Sequence, residues 1–238
     1  MADVNNGTND NCSSVSAVID ISSFSCADLG ANTVTLTATD AQNNTSSATA
    51  IVTVIDTISP AAITQDISVY LDASGNVSIV AADVDNSSAD NCSTVSLAVD
   101  VSAFTCADLG INTVTLTATD GSSNTSSTTA IVTVLDTTSP AALTQNISVY
   151  LDATGNVSIV AADVDGSSSD NCSSVSLAVD VSAFTCADLG ANTVTLTATD
   201  GSSNTSSATA IVTELDLSLI HTLTQDISVY LDATGNVS

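Results

Sequence analysis

Aspartate and cysteine are the two residue types in this 238-residue chain with the chemistry for specific bonds, and both recur at fixed intervals. The acidic residues number 26, all but Glu214 are aspartates, and the chain has no lysine or arginine to pair with them. Carboxylate oxygens converging from several loops form a hard-ligand cage of the kind that holds Ca²⁺. The competing reading is that Asp is common in turns because its side chain bonds nearby backbone. The complete lack of cationic side chains favours calcium, since the negative charge has no internal partner.

The six cysteines fall in three pairs, Cys12 with Cys26, Cys92 with Cys106 and Cys172 with Cys186. That parity reads as one disulfide within each repeat and as an oxidising compartment. A zinc site would need four close ligands, and the repeats offer neither Cys-x-x-Cys spacing nor a nearby histidine. A bridge closing a loop this short contributes on the order of 3 kcal/mol. Phe24, Phe104 and Phe184, each two residues before the second cysteine, are expected to plug the core beside it.

The elements that position these residues repeat with a period of 80: Asp10-Asn11-Cys12 returns at 90 and 170, and Cys26-Ala27-Asp28-Leu29-Gly30 returns at 106 and 186. A period of this length suits a small domain rather than a solenoid turn. Within one repeat the apolar residues alternate, which is the pattern of half-buried strands. Ile67, Val69 and Leu71, followed by the turn Asp72–Asn76 and then Val77, Ile79 and Ala81, predict a hairpin. Val95–Val101, Val114–Ala118 and Ala130–Val134 predict three further strands. Abundant Thr and Val favour strands, and short strands of this kind close as a sandwich.

The expected fold class is therefore all-β, as tandem immunoglobulin-like β-sandwich repeats. The linker Asp56-Thr57-Ile58-Ser59-Pro60, repeated at 136–140, sets the boundaries. Residues 1–56 are read as a partial repeat holding the later strands, 57–136 and 137–216 as complete repeats, and 217–238 as the first hairpin of another. By analogy with the immunoglobulin fold, the loops after the second and penultimate strands lie at the end where the linker enters. The candidate calcium ligands are then Asp56, Asp83, Asp85, Asp90 and Asp120 for one repeat. Asp136, Asp163, Asp165, Asp170 and Asp200 are those for the next.

The linker Asp-Thr-Thr-Ser-Pro, the Asp-Asn-Cys turn, the Phe-Thr-Cys-Ala-Asp-Leu-Gly stretch and the strand Asn-Thr-Val-Thr-Leu-Thr-Ala-Thr-Asp together resemble hyalin-repeat-like modules of bacterial surface proteins, those of marine Bacteroidetes most of all. The resemblance implies an extracellular adhesin stalk.

Composition excludes several function classes. A disordered acidic tail is ruled out by 44% apolar residues. Nucleic acid and anionic membrane surfaces need Lys and Arg for their phosphates. No apolar run spans a bilayer, so no membrane insertion is expected, and the N-terminus has no basic and apolar leader, which reads as an excerpt of a longer secreted protein. No catalytic residues are expected, because the single histidine, His221, stands at a junction where the linker pattern is lost. The expected function is a structural spacer at the cell surface, stiffened by calcium at its junctions. The alternatives are a calcium-dependent glycan-binding module, to which the recurring Tyr70, Tyr150 and Tyr230 could contribute by stacking, and a filament subunit assembling head to tail by strand complementation. The expected partners are neighbouring repeats and other copies of the chain.

Overall fold

The computed structural model describes residues 4–217, 228–230, 233–234 and 236. The chain forms two compact units, Met1–Thr137 and Thr138–Ser238. In the first, β1 (Ser16–Ile19), β2 (Gly30–Thr39) and β3 (Thr45–Val54) make one antiparallel sheet in that order. There follow β4 (Ile67–Tyr70), β5 (Asn76–Ser78), the single helical turn α1 (Ala81–Val84), β6 (Ser96–Val99), β7 (Ala103–Thr105), β8 (Gly110–Thr119) and β9 (Thr125–Leu135). They pair as a four-stranded sheet β4-β9-β8-β6 and a two-stranded sheet β5-β7. The second unit repeats this plan with β10 (Ile147–Tyr150), β11 (Asn156–Ser158), α2 (Ala161–Val164), β12 (Ser176–Val179), β13 (Ala183–Thr185), β14 (Gly190–Thr199) and β15 (Thr205–Leu215). Its sheets are β10-β15-β14-β12 and β11-β13. Both are all-β, immunoglobulin-like sandwich units with an 80-residue repeat.

The alternation written in the sequence sets which face is buried. In β8, Val114, Leu116 and Ala118 are fully buried, while the threonines between them point outward. Ala130, Val132 and Val134 of β9 and Phe104 of β7 complete the same core. The second unit packs Val194, Leu196, Ala210, Val212 and Phe184 together with Ile159 and Val164. The β2–β3 sheet is different. Val34 is buried, but Leu36, Ala38, Val52 and Val54, counterparts of fully buried residues in β8 and β9, stay half-exposed.

The hairpin expected from Ile67–Leu71 and Val77–Ala81 does not form. β4 pairs in parallel with β9, Ile67 opposite Val132, whereas β5 crosses to the other sheet and pairs antiparallel with β7, Val77 opposite Phe104. The turn itself is made, closed by the Asp72 N–H donating to the Asn76 carbonyl at 2.9 Å. The two strands that it joins enter opposite layers because each buries its apolar face against a different sheet. Ala81, expected in a strand, opens α1, where the Asp83 carboxylate accepts the Val80 N–H at 2.7 Å.

The disulfide pairing expected within each repeat is also corrected. Cys26 is bonded to Cys92, 66 residues away, with their Cα atoms 5.0 Å apart. Cys106 and Cys172 are each disulfide-bonded, while Cys12 and Cys186 are free and exposed. The reason is strand length. Cys106 precedes the start of the ten-residue β8, and Cys92 leads into β6, whose Ser96 lies opposite Thr119 at the far end of β8. Such a strand spans roughly 30 Å, whereas a disulfide holds its Cα atoms within about 7 Å. Cys12 and Cys26 flank β2 in the same way. One repeat thus carries its cysteines at opposite ends, and the bridge joins one repeat to the next.

Two features of the fold lead to testable expectations. Asp20, Asp100 and Asp180 each accept a backbone N–H from the neighbouring strand, that of Thr115 on Asp100 at 2.8 Å. The Thr115 N–H, with help from its side chain, holds the Asp100 carboxyl below its ordinary value of 3.8. A lowered folded pKa gives stability that is complete above the unfolded value and lost as pH falls through the folded one. The melting temperature should therefore fall below about pH 4, and Asp100→Asn should be less stable than the parent at neutral pH and should flatten this acid limb.

The other feature is Glu214, which is 1% exposed and occupies the position of Val54 and Val134 in the register. The Asn192 amide donates to its Oε2, and Oε1 has no hydrogen-bond partner. Burying an unsatisfied carboxylate oxygen is costly, and the equivalent Asn112 coexists with valine in the first unit. Glu214→Val should stabilise the second unit by about 1–3 kcal/mol in urea unfolding.

Candidate metal centre

Three loops of the first unit bring carboxylates together. Asp56 follows β3 in the linker, Asp90 stands in the Asp-Asn-Cys turn before β6, and Asp120 opens the β8–β9 loop. One oxygen from each lies within 4.8 Å of the others. Each carboxylate is fixed by its own turn. Asp120 Oδ1 accepts the N–H groups of Ser122 at 2.9 Å and Asn124 at 2.7 Å, and Ser123 takes the left-handed conformation that closes the loop. Asp90 Oδ2 accepts from the N–H groups of Cys92 at 2.8 Å and Ser93 at 3.0 Å. These bonds, that from Cys92 above all, lower the Asp90 pKa and keep it ionised. Asp56 Oδ1 accepts the Ile58 N–H at 3.0 Å. The Asn124 amide ties the group together, donating to Asp120 Oδ2 at 2.8 Å and to the Asp56 carbonyl at 3.1 Å.

One oxygen of each of two carboxylates is left without a partner. Asp56 is 8% exposed, and its Oδ2 is buried with no hydrogen-bond donor; Asp90 Oδ1 is in the same position. A buried carboxylate oxygen facing other carboxylates is unfavourable unless a cation meets it. No lysine or arginine exists in the chain to do so. The donor set is all oxygen, which fits Ca²⁺ and does not suit a thiophilic metal.

Of the five candidates in this repeat, Asp56, Asp90 and Asp120 converge and Asp83 and Asp85 do not. Asp83 caps α1, as above, and Asp85 accepts the Ser88 N–H at 3.0 Å in its own turn. In the second unit Asp163 and Asp165 do the same for Val160 and Ser168. Asp170 accepts from Cys172 and Ser173, and Asp200 from Ser202 and Asn204, matching Asp90 and Asp120. Asp136, the sequence counterpart of Asp56, is buried. Tyr70 and Tyr150 are more than half exposed. Asn124 was not anticipated, although an asparagine four residues after the loop aspartate recurs at 44, 124 and 204.

No protein-family model matches the chain, and no curated protein matches it. Similar solved structures are tandem cadherin and immunoglobulin domains. Protocadherin gamma B7 extracellular cadherin domains 1–4 are 13% identical over 80% of this chain and 59% of that one, with a TM-score of 0.35. Mouse cadherin-23 EC22–24 is 14% identical over 82% and 78%, with a TM-score of 0.37. A variant of titin domains I67–I69 is 9% identical over 78% and 75%, with a TM-score of 0.40. The chain spans about three-fifths of the length of the protocadherin structure.

Proposed function

We propose that this chain is a spacer: part of an extracellular stalk of repeats in which calcium, held by aspartates at the junctions, fixes each repeat on the next. The observation that carries this reading is the triad Asp56, Asp90 and Asp120, with its two buried oxygens lacking any donor. Asp56 comes from the linker and the other two from the repeat that follows, so a bound cation would oppose bending of the linker. The Cys26–Cys92 bridge joins the same two repeats covalently, and such bonds persist in oxidising surroundings. The repeats at 57–136 and 137–216, flanked by 1–56 and 217–238, are the building blocks of this reading. It agrees with the resemblance to hyalin-repeat-like modules of bacterial surface adhesins.

The test is thermal unfolding and small-angle scattering of the purified chain in millimolar Ca²⁺ and in chelator. Binding to the folded state alone stabilises by about 2.7 kcal/mol at a hundredfold excess over Kd. The melting temperature and the radius of gyration should both be higher in calcium. Superimposable melting and scattering curves would leave the aspartates as turn residues that hold no calcium.

A further inference from the structure

The two loops that present Asp90 and Asp120 are joined by a hydrogen bond outside their carboxylates. The N–H of Gly121, next in sequence to Asp120, donates to the Ser93 hydroxyl oxygen at 2.9 Å. Ser93 also closes the Asp90 turn: its N–H donates to Asp90 Oδ2 at 3.0 Å, and its hydroxyl lies 3.4 Å from the same oxygen. A serine hydroxyl can accept one bond while donating another. Ser93 therefore links the backbone beside one candidate ligand to the carboxylate of the other. It follows Cys92, whose disulfide holds this turn to the preceding repeat.

Gly121 allows the close approach. A methyl group there would lie 3.3 Å from Ser93 Cβ and 3.4 Å from Ser93 Oγ, so a side chain would push the two loops apart by a few tenths of an ångström. Its backbone is not left-handed, so the missing side chain serves this contact and not an unusual φ. The second unit has the same pair, with the Gly201 N–H donating to the Ser173 hydroxyl at 2.9 Å. In the first repeat Ala41 stands in place of the glycine, and its N–H is 3.5 Å from the Ser13 hydroxyl. The hairpin expected at 217–238 lies largely outside the described residues and contains no counterpart of either residue.

We infer, resting on the calcium reading, that Ser93 is a positioning residue of the calcium site: its hydroxyl, clipped to the Gly121 N–H, holds the Asp120 loop against the Asp90 turn in the metal-free chain. Without a cation the two carboxylates repel, since an oxygen of each lies within 4.8 Å of the other. Loops free to move would relieve this repulsion by separating, and an arriving ion would have to draw them back. A clip that keeps them in place removes that cost at binding, as preorganisation does. Partners that orient a metal's ligands without touching the metal are worth about 10–100-fold in affinity. The Gly121–Ser93 bond is exposed to water, which can take the freed N–H in Ser93→Ala, so the metal-free fold loses little with the hydroxyl.

The experiment titrates Ca²⁺ into the isotope-labelled intact chain and follows the amide resonances of Gly121, Ser122 and Asn124, which report on this site. In the parent they should shift with calcium. Ser93→Ala should raise the dissociation constant read at these resonances by about tenfold or more. Gly121→Ala, which keeps the hydroxyl and crowds it, should do the same. Both variants should melt close to the parent in chelator, with slow amide exchange at Val114, Leu116 and Ala118 showing that β8 is folded, while the Gly121 amide exchanges faster in Ser93→Ala. Parent affinity in both variants would overturn the positioning role and leave the calcium reading standing, whereas parent resonances that ignore millimolar Ca²⁺ would overturn both. A melting temperature lowered equally in chelator and in calcium would make Ser93 a purely structural residue and would also overturn the positioning role.

Discussion

Replacing both Cys26 and Cys92 with serine is expected to lower the stability of the first unit by about 4 kcal/mol, the loop-closure entropy for a bridge of this span. The 66-residue separation makes this bond worth more than the short loop within one repeat would be. The bond also anchors the turn that presents Asp90, whose Oδ2 holds the Cys92 N–H. The loss should therefore extend to the carboxylate triad, and calcium should stabilise the double variant less than the parent. Cys12→Ser, at an exposed free thiol, serves as the control and should unfold with the parent in the same non-reducing denaturant. Equal unfolding curves for parent and double variant in non-reducing denaturant would refute the assignment.

Asp56→Asn should act with opposite signs in the two metal states. Without calcium it removes a negative charge from a buried cluster of like charges, so the variant should melt at or above the parent. With calcium it removes a buried ligand, and affinity should fall by at least about tenfold, by the scale for disturbed metal sites. Asp120→Asn should instead lose stability in both conditions, because its new amide nitrogen would face the Asn124 amide donor that Asp120 Oδ2 now accepts. Asp83→Asn should lose stability through its cap on α1 and leave the calcium response unchanged, because Asp83 stands outside the triad. A purely structural role for Asp56 would instead lower the melting point equally in both conditions.

Much of this could be read from residue types. The Thr and Val alternation of 110–119 and 125–135 located the buried faces of β8 and β9, because a period of two has one solution when one face is apolar. The strand pairing was harder. Ile67–Leu71 and Val77–Ala81 look like a hairpin locally, and only the competition of two sheets for their apolar faces sends β4 to β9 and β5 to β7. The cysteines show the same limit. Two per repeat suggest a bond within it, but the length of β8 between Cys92 and Cys106 forbids that and leaves the adjoining repeat as partner. Among the aspartates, residue type alone did not separate Asp90 from Asp83. The distinction lies in whether the fold brings a carboxylate to others, as it brings Asp90 to Asp56 and Asp120, and a helix cap such as Asp83 becomes recognisable only once α1 is seen where a strand was expected.

The most direct test of the calcium junction is a crystal structure of the chain grown in millimolar Ca²⁺, with diffraction recorded at long wavelength. The expected result is an anomalous peak bounded by Asp56 Oδ2, Asp90 Oδ1 and a carboxylate oxygen of Asp120, at metal–oxygen distances of about 2.3–2.6 Å. An ordered site with no anomalous signal, its carboxylates bonded only to water or protein donors, would contradict it.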